Sequence, residues 1–202
     1  MKNKLGILCV LLGVLLIAGA GGLYFHNAQL QQQAGKLAAQ VMPQIVENIR
    51  IRHTEPAAEP EVPPVITQAL KTQMPVVEVD GNDYIGFVGI PALSLELPVM
   101  ADWSYPQLEQ SPCRFTGDMY SDDLVVMAHN YNTHFGGLER LREGDTVTFT
   151  DMDGDTRTYS VVATDILSPN AVEEMTAGEY DLTLFTCTYG GQSRVTVRCD
   201  EI

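Results

Sequence analysis

Residues 5–25 (LGILCVLLGVLLIAGAGGLYF) run for 21 positions without a charged side chain. At a rise of about 1.5 Å per residue, a helix of that length reaches about 31 Å, the thickness of a bilayer's hydrocarbon core. In lipid, only a helix satisfies every backbone N–H and C=O within one such segment, so the run dictates helix here. Lys2 and Lys4 precede it; the positive-inside rule keeps the N-terminus cytoplasmic and sends the remainder outside. Ala18-Gly19-Ala20 resembles a small-residue cleavage site, which leaves a removable signal peptide as the alternative. A secretory apolar core is only about 7–15 residues, shorter than this run, so the reading is an uncleaved signal anchor. Residues 1–26 are then a cytoplasmic stub and a single-pass membrane span, with Cys9 inside it as apolar filler.

Residues 27–80 read as an extracellular stalk. Positions 27–50 are rich in Gln and Ala, with loose helical spacing of Leu30, Leu37, Val41 and Ile45, and Pro43 is expected to kink or end that helix. Residues 54–64 (TEPAAEPEVPP) hold four prolines and three glutamates, the composition of an extended, semi-rigid spacer.

Charge and texture both change near residue 81. The chain carries a net charge of -14, and residues 81–202 hold all of that excess: six arginines, no lysine and 20 acids. So negative a domain repels phosphate backbones, which argues against a nucleic-acid partner. Short runs rich in Val, Leu, Thr and Phe cover 84–90, 93–99, 124–129, 146–150, 157–164, 182–187 and 194–199, punctuated by Gly, Asp, Asn and Pro. Only 103–110 and 135–142 look helical. The domain at 81–202 is therefore expected to be all-β, a closed barrel or a sandwich. The string Asp151-Met152-Asp153-Gly154-Asp155 reads as a hairpin turn, both central positions Asp153 and Gly154 tolerating positive φ. As a calcium loop it places its glycine wrongly.

Cysteines outside a membrane often pair, so Cys113, Cys187 and Cys199 require a geometric test. If 182–187 and 194–199 form a hairpin, Cys187 faces Arg194 and Cys199 faces Leu182. The two sulfurs then lie roughly 17 Å apart along the ladder, whereas a disulfide needs Cα atoms within about 7 Å. Alternation places Val195, Val197 and Cys199 on the core side. Arg194, Thr196 and Arg198 fall on the other side, where Arg198 is expected to be a solvated charge. Cys187 remains a free thiol opposite a guanidinium, a setting that suits a nucleophile. Acyl chemistry also needs a proton donor for the leaving amine, and of four histidines His26 and His53 lie ahead of the folded domain, at the foot of the stalk and within it. His129 ends the apolar run LVVMAH, and His134 follows in a polar loop.

These residues carry a resemblance. Thr183-Leu184-Phe185-Thr186-Cys187 followed by Arg194-Val195-Thr196-Val197 is similar to the T-L-x-T-C and R-[VL]-x-V strands of sortases, the membrane-anchored cysteine transpeptidases of Gram-positive bacteria. Residues 128–149 (AHNYNTHFGGLERLREGDTVTF) resemble that family's G-H-x…F-x-x-L-x-x-L-x-x-G-D-x-V block, and 84–100 its opening strands. Ala128 stands where the family commonly has Gly. The resemblance implies a closed β-barrel of seven to eight strands with short helices. It implies Cys187 as nucleophile, His129 as proton donor, Arg194 as oxyanion or backbone holder, and Thr186 as support for the oxyanion site. It implies no metal and no cofactor. The partners implied are secreted proteins bearing a C-terminal LPxTG-like sorting motif and a cell-wall amine such as a peptidoglycan precursor. Two other readings stay open on the residues: a membrane-tethered cysteine hydrolase, and a non-catalytic β-barrel adhesion module. The 58-residue interval from His129 to Cys187, and a chain ending at Ile202 without a second apolar run, favour a compact anchoring enzyme over a pilus-assembling one.

Overall fold

Each β-branched or aromatic run needs a partner for its open edge, and here the sheet solves that by closing on itself. The computed structural model describes residues 2–54 and 71–202. Among the described residues the strands are β1 (Val77–Val79), β2 (Asn82–Ile90), β3 (Leu95–Met100), β4 (Cys113–Thr116), β5 (Leu124–Met127), β6 (Thr146–Asp151), β7 (Thr156–Leu167), β8 (Leu182–Cys187) and β9 (Arg194–Glu201). Their order is β1-β2-β3-β4-β5-β8-β9-β7-β6, and β6 pairs back onto β2. Eight strands thus form a closed barrel and β1 lengthens one edge, as the all-β expectation required. Leu124, Phe135, Val147, Phe149, Tyr159, Leu184 and Val197 are completely buried in the main core.

The short strands β1 and β4 escape the sequence reading, being too brief to show alternation. Asp80-Gly81 joins β1 to β2 with φ of 51° and 77°, the two positive values of a tight hairpin turn. The turn expected at Asp153-Gly154 is present but longer. Strands β6 and β7 stay paired to Thr150 and Thr156, and only Gly154 is left-handed, at φ 85°. The Asp151 carboxylate accepts hydrogen bonds from the backbone N–H groups of Asp153 and Asp155, both at 2.9 Å. The helical expectations shrink to α2 (Tyr105–Leu108) and a 3-10 turn at Leu138–Arg140, and a further short helix, α3 (Val172–Met175), precedes β8.

One long helix, α1 (Lys2–Thr54), precedes the barrel. From Ile7 to Phe25 its large apolar side chains are exposed, as those of a lipid-facing anchor are. Beyond residue 30 one face turns inward. Ala34, Ala38 and Ile45 are buried, with Val41 and Ile49 packed beside them, a stripe at helical spacing against β1 and β3. The helix continues through Pro43, contrary to expectation. An interior proline costs about 3 kcal/mol. Burial of the apolar stripe on both sides of it opposes that cost, as do a Gln44 Nε2–Asp80 hydrogen bond (2.6 Å) and an Arg52–Asp153 ion pair (2.6 Å). Residues 55–64 of the expected spacer lie outside the described residues.

Gly86 is where β2 is gripped most tightly. It sits at a register break against β3 and opposite Asp151 of β6, at φ 147°, and a Cβ there would stand 2.0 Å from the Thr150 carbonyl oxygen. That contact is backbone on a closed barrel and has no room to yield. Gly86→Ala is expected to destabilise the domain by about 2–4 kcal/mol, read as a lowered urea midpoint with an unchanged m-value.

Candidate active site

The end of the barrel at which β5, β8 and β9 finish collects the chemistry. Strands β5 and β8 run parallel, with Met127 level with Phe185. Strand β5 ends there, while β8 continues to Cys187; the Ala128 N–H still donates to the Phe185 carbonyl at 3.2 Å, and His129 follows it, two residues beyond the end of β5. The period of two puts Cys187 on the face of β8 that carries Phe185, which packs in a small outer cluster with Met127. On the other flank, β8 and β9 are antiparallel, and Cys187 pairs directly with Arg194. The register derived from sequence is the observed one, Cys199 lying opposite Leu182. Thiol and guanidinium therefore occupy adjacent strand ends on one side of the sheet, and His129 lies on the segment leaving the neighbouring β5.

Thr186 joins two of them. Its buried hydroxyl donates to the Ala128 carbonyl at 2.8 Å, fixing the residue before Cys187 to the residue before His129. The hydroxyl is thereby committed to the strand pair. Beyond β8 the chain turns through Thr188–Ser193, closed by Thr188 N–H to Ser193 O (2.9 Å) and Ser193 N–H to Thr188 Oγ1 (3.0 Å). Arg194 Nη1 donates to the Gly191 and Ser193 carbonyls, both at 3.2 Å. One guanidinium nitrogen thus braces the loop beside the thiol.

Burial sorts the candidate groups. The domain cysteines and Cys9 are all unpaired. Cys113 and Cys199 are fully buried, and loss of solvation pushes each thiol up to about 12, so both stay protonated. Cys187 is half-buried and borders a cavity of about 230 Å³, which Gln31, Asn132, Glu139, Thr188 and Tyr189 also line. His129 is half-buried as well; desolvation lowers its pKa, against a smaller opposing pull from the Glu109 carboxylate. Its ring stacks on Tyr131 at 4.9 Å, and Tyr131 in turn lies against His134 at 5.6 Å.

His134 is completely buried, and neither ring nitrogen has a well-formed hydrogen bond among the described residues. Burial, then the nearby His129, push it down to about 4, with the Gln110 backbone relieving only a little of that. It backs the stack from the interior and offers no imidazole to solvent. Tyr131, which no motif singled out, is therefore the residue through which His129 is braced.

Arg198 corrects the sequence reading. It is 4 % exposed rather than solvated. Its guanidinium donates to Thr183 Oγ1 (3.1 Å) and to the carbonyls of Met175 (3.2 Å) and Glu174 (2.6 Å), and lies over the Tyr180 ring. The segment carrying α3 folds over the outer face of β9, so that face is interior and Arg198 fastens the cover. The five-residue string at 151–155 behaves as a turn whose carboxylates meet Lys71 and Arg52. Among the described residues no group of His, Cys, Asp and Glu is arranged to hold a metal ion.

The burial of His134 sets a pH dependence. The unfolded chain takes up a proton near the ordinary histidine value of 6.5, whereas the folded chain resists until about 4. The stability this confers is fully present above about pH 6.5 and falls as the pH drops toward 4, by about 3 kcal/mol. Urea unfolding at pH 7 and pH 4 is expected to show a His134→Leu variant losing about 3 kcal/mol less than the parent over that interval.

A family model described as the sortase domain matches residues 88–202, more than half of the chain. A search of curated proteins finds no match. Among solved structures, sortase C1 from Streptococcus suis is 27% identical, with a TM-score of 0.51 over 59% of this chain and 73% of that one. A sortase D5 transpeptidase from Clostridium perfringens is 20% identical, with a TM-score of 0.53 over 60% and 81% of the two chains. A lid mutant of sortase A from Corynebacterium diphtheriae is 22% identical, with a TM-score of 0.52 over 81% and 95%. The two below 25% identity speak for the fold alone, and the three together favour no subclass. With the barrel, the parallel β5–β8 pair and the matched residues in agreement, the chain belongs to the sortase family.

Proposed function

We propose that this sortase is a cysteine transpeptidase that cleaves a C-terminal sorting motif of LPxTG type in secreted proteins and joins the released acyl group to a cell-wall amine. The observation that supports it most is the pairing of Cys187 with Arg194 across β8 and β9, with Cys187 on a cavity open to solvent and Thr186 tying the end of β8 to Ala128, the residue before His129. In the first half-reaction Cys187 Sγ attacks the scissile carbonyl carbon. The burial-lowered pKa of His129 leaves its imidazole neutral near pH 7, so the proton it gives to the departing amine is the one it receives from the thiol. The C–N bond breaks, and a thioester joins the substrate's acyl group to Cys187. Arg194 offers its remaining donors to the oxyanion or to the substrate backbone. In the second half-reaction an incoming amine attacks the thioester, passes a proton to His129 and releases the Cys187 thiol. Thr186 supports the site by holding the two strand ends together through Ala128. Lys2 and Lys4 ahead of the anchor support an extracellular position for this domain.

Cys187→Ala is expected to abolish transfer of a sorting peptide to an added amine while circular dichroism and thermal unfolding stay at parental values. His129→Ala is expected to lower the rate by about 10²–10⁴. Near-parental transfer by Cys187→Ala would overturn the assignment. Mass spectrometry of the product with amine in excess separates the chemistries: a transpeptidase yields the amide, a hydrolase the free acid.

A further inference from the structure

The long helix both enters the membrane and touches the candidate site. α1 is continuous from its apolar segment to Thr54, so positions along it measure height above the bilayer. Gln31 lies six residues past Phe25, about 9 Å along the axis, whereas Arg52 lies about 40 Å along it. These two points touch opposite ends of the barrel. The Gln31 carbonyl accepts from Thr133 Oγ1 at 3.0 Å, and Gln31 itself lines the cavity beside Cys187. Gly35 is pressed against Thr133 so closely that a Cβ would stand 2.8 Å from its methyl group. Arg52 instead pairs with Asp153 in the β6–β7 turn. The Cys187 end is therefore the low end, and the β6–β7 turn the high one.

The composition of the low end suits that position. In a domain with 20 acids, residues 129–138 (HNYNTHFGGL) and 186–193 (TCTYGGQS) carry none, although Glu109 and Glu139 flank them. At the tip of the β8–β9 loop Tyr189 is 99 % exposed, on the rim of the Cys187 cavity and next to Gly190 and Gly191. A tyrosine with an apolar ring and a polar tip is favoured at the headgroup layer, where both ends are satisfied. The missing carboxylates avoid repulsion from anionic lipid.

We infer that the Cys187 end of the barrel is a membrane-facing surface, with the Tyr189 loop resting in the headgroup layer of the bilayer that α1 spans and α1 setting the height of the thiol. On the transpeptidase reading above, α1 then fixes the height above the bilayer at which Cys187 meets a scissile bond.

The test uses the full chain in vesicles of phosphatidylcholine and phosphatidylglycerol. Trp103, the sole tryptophan, is replaced by Phe, and single reporters are introduced as Tyr189→Trp or, at the opposite end, Thr156→Trp. Lipids spin-labelled at the headgroup are expected to quench the reporter at 189 several-fold more than the one at 156. Equal quenching at the two positions would overturn the proposal. Seven helix-forming residues inserted after His26 lift the domain by about 10 Å with its facing nearly kept. That insertion is expected to abolish the quenching at 189. It is also expected to slow a membrane-anchored substrate with a short spacer at least tenfold, leaving a soluble sorting peptide unaffected. Unchanged turnover of the short-spacer substrate would overturn the height-setting role of α1. If the parent processes neither substrate, the transpeptidase reading fails, while the quenching difference still decides the docking.

Discussion

The pairing of β5 with β8 is the constraint on which this site rests. The two strands are far apart in sequence, and their parallel register brings the segment leaving β5 next to the end of β8 that carries Cys187. A slip of one residue would turn the inward-facing side chains of β5 to the opposite face, because side chains alternate along a strand. Thr186 donates its hydroxyl to the Ala128 carbonyl at the very end of the pair, where fraying would otherwise be easiest. The closed barrel supplies the rest of the stiffness, since β8 is flanked by β5 and β9 and neither can slide without breaking the closure at β2–β6.

Burial then assigns different chemistry to identical side chains. Cys113 and Cys199 are desolvated into inert thiols, while Cys187 alone of the three domain cysteines reaches solvent. His134 is sealed in the interior as a neutral ring, and His129 sits at the boundary, braced by Tyr131. Glu139 on the cavity wall and Glu109 near His129 aside, the domain's negative charge is kept off the loops around the thiol. Arg194 is accordingly an isolated cation held by its place in the ladder, and it also bridges two carbonyls of its own loop.

The helix α1 changes the meaning of the N-terminal third. Read from composition, residues 27–50 were a stalk. Folded, they lay an apolar stripe of Ala34, Ala38 and Ile45 along the barrel and reach the cavity beside the thiol through Gln31. Small residues there, Gly35 above all, allow the close approach. Pro43 fails to end the helix for the same reason: proline's cost is local, and the packing that outweighs it is not.

Much of the fold was legible because the signals were local. The 21-residue uncharged run fixes a helix through backbone hydrogen bonding alone, and the 182–187 and 194–199 hairpin carries its own register, so Cys187 opposite Arg194 followed from counting. Arg198 was not legible. Alternation correctly put it on the face opposite the core, but whether that face meets water depends on the segment 168–181 folding over it. The same holds for the burial of His134, the bracing by Tyr131 and the docking of α1. The sequence by itself determined which residues share a strand and a face, since a strand's period of two is set within the chain. Only the tertiary structure decided what covers each face, because desolvation is a property of neighbours brought from elsewhere.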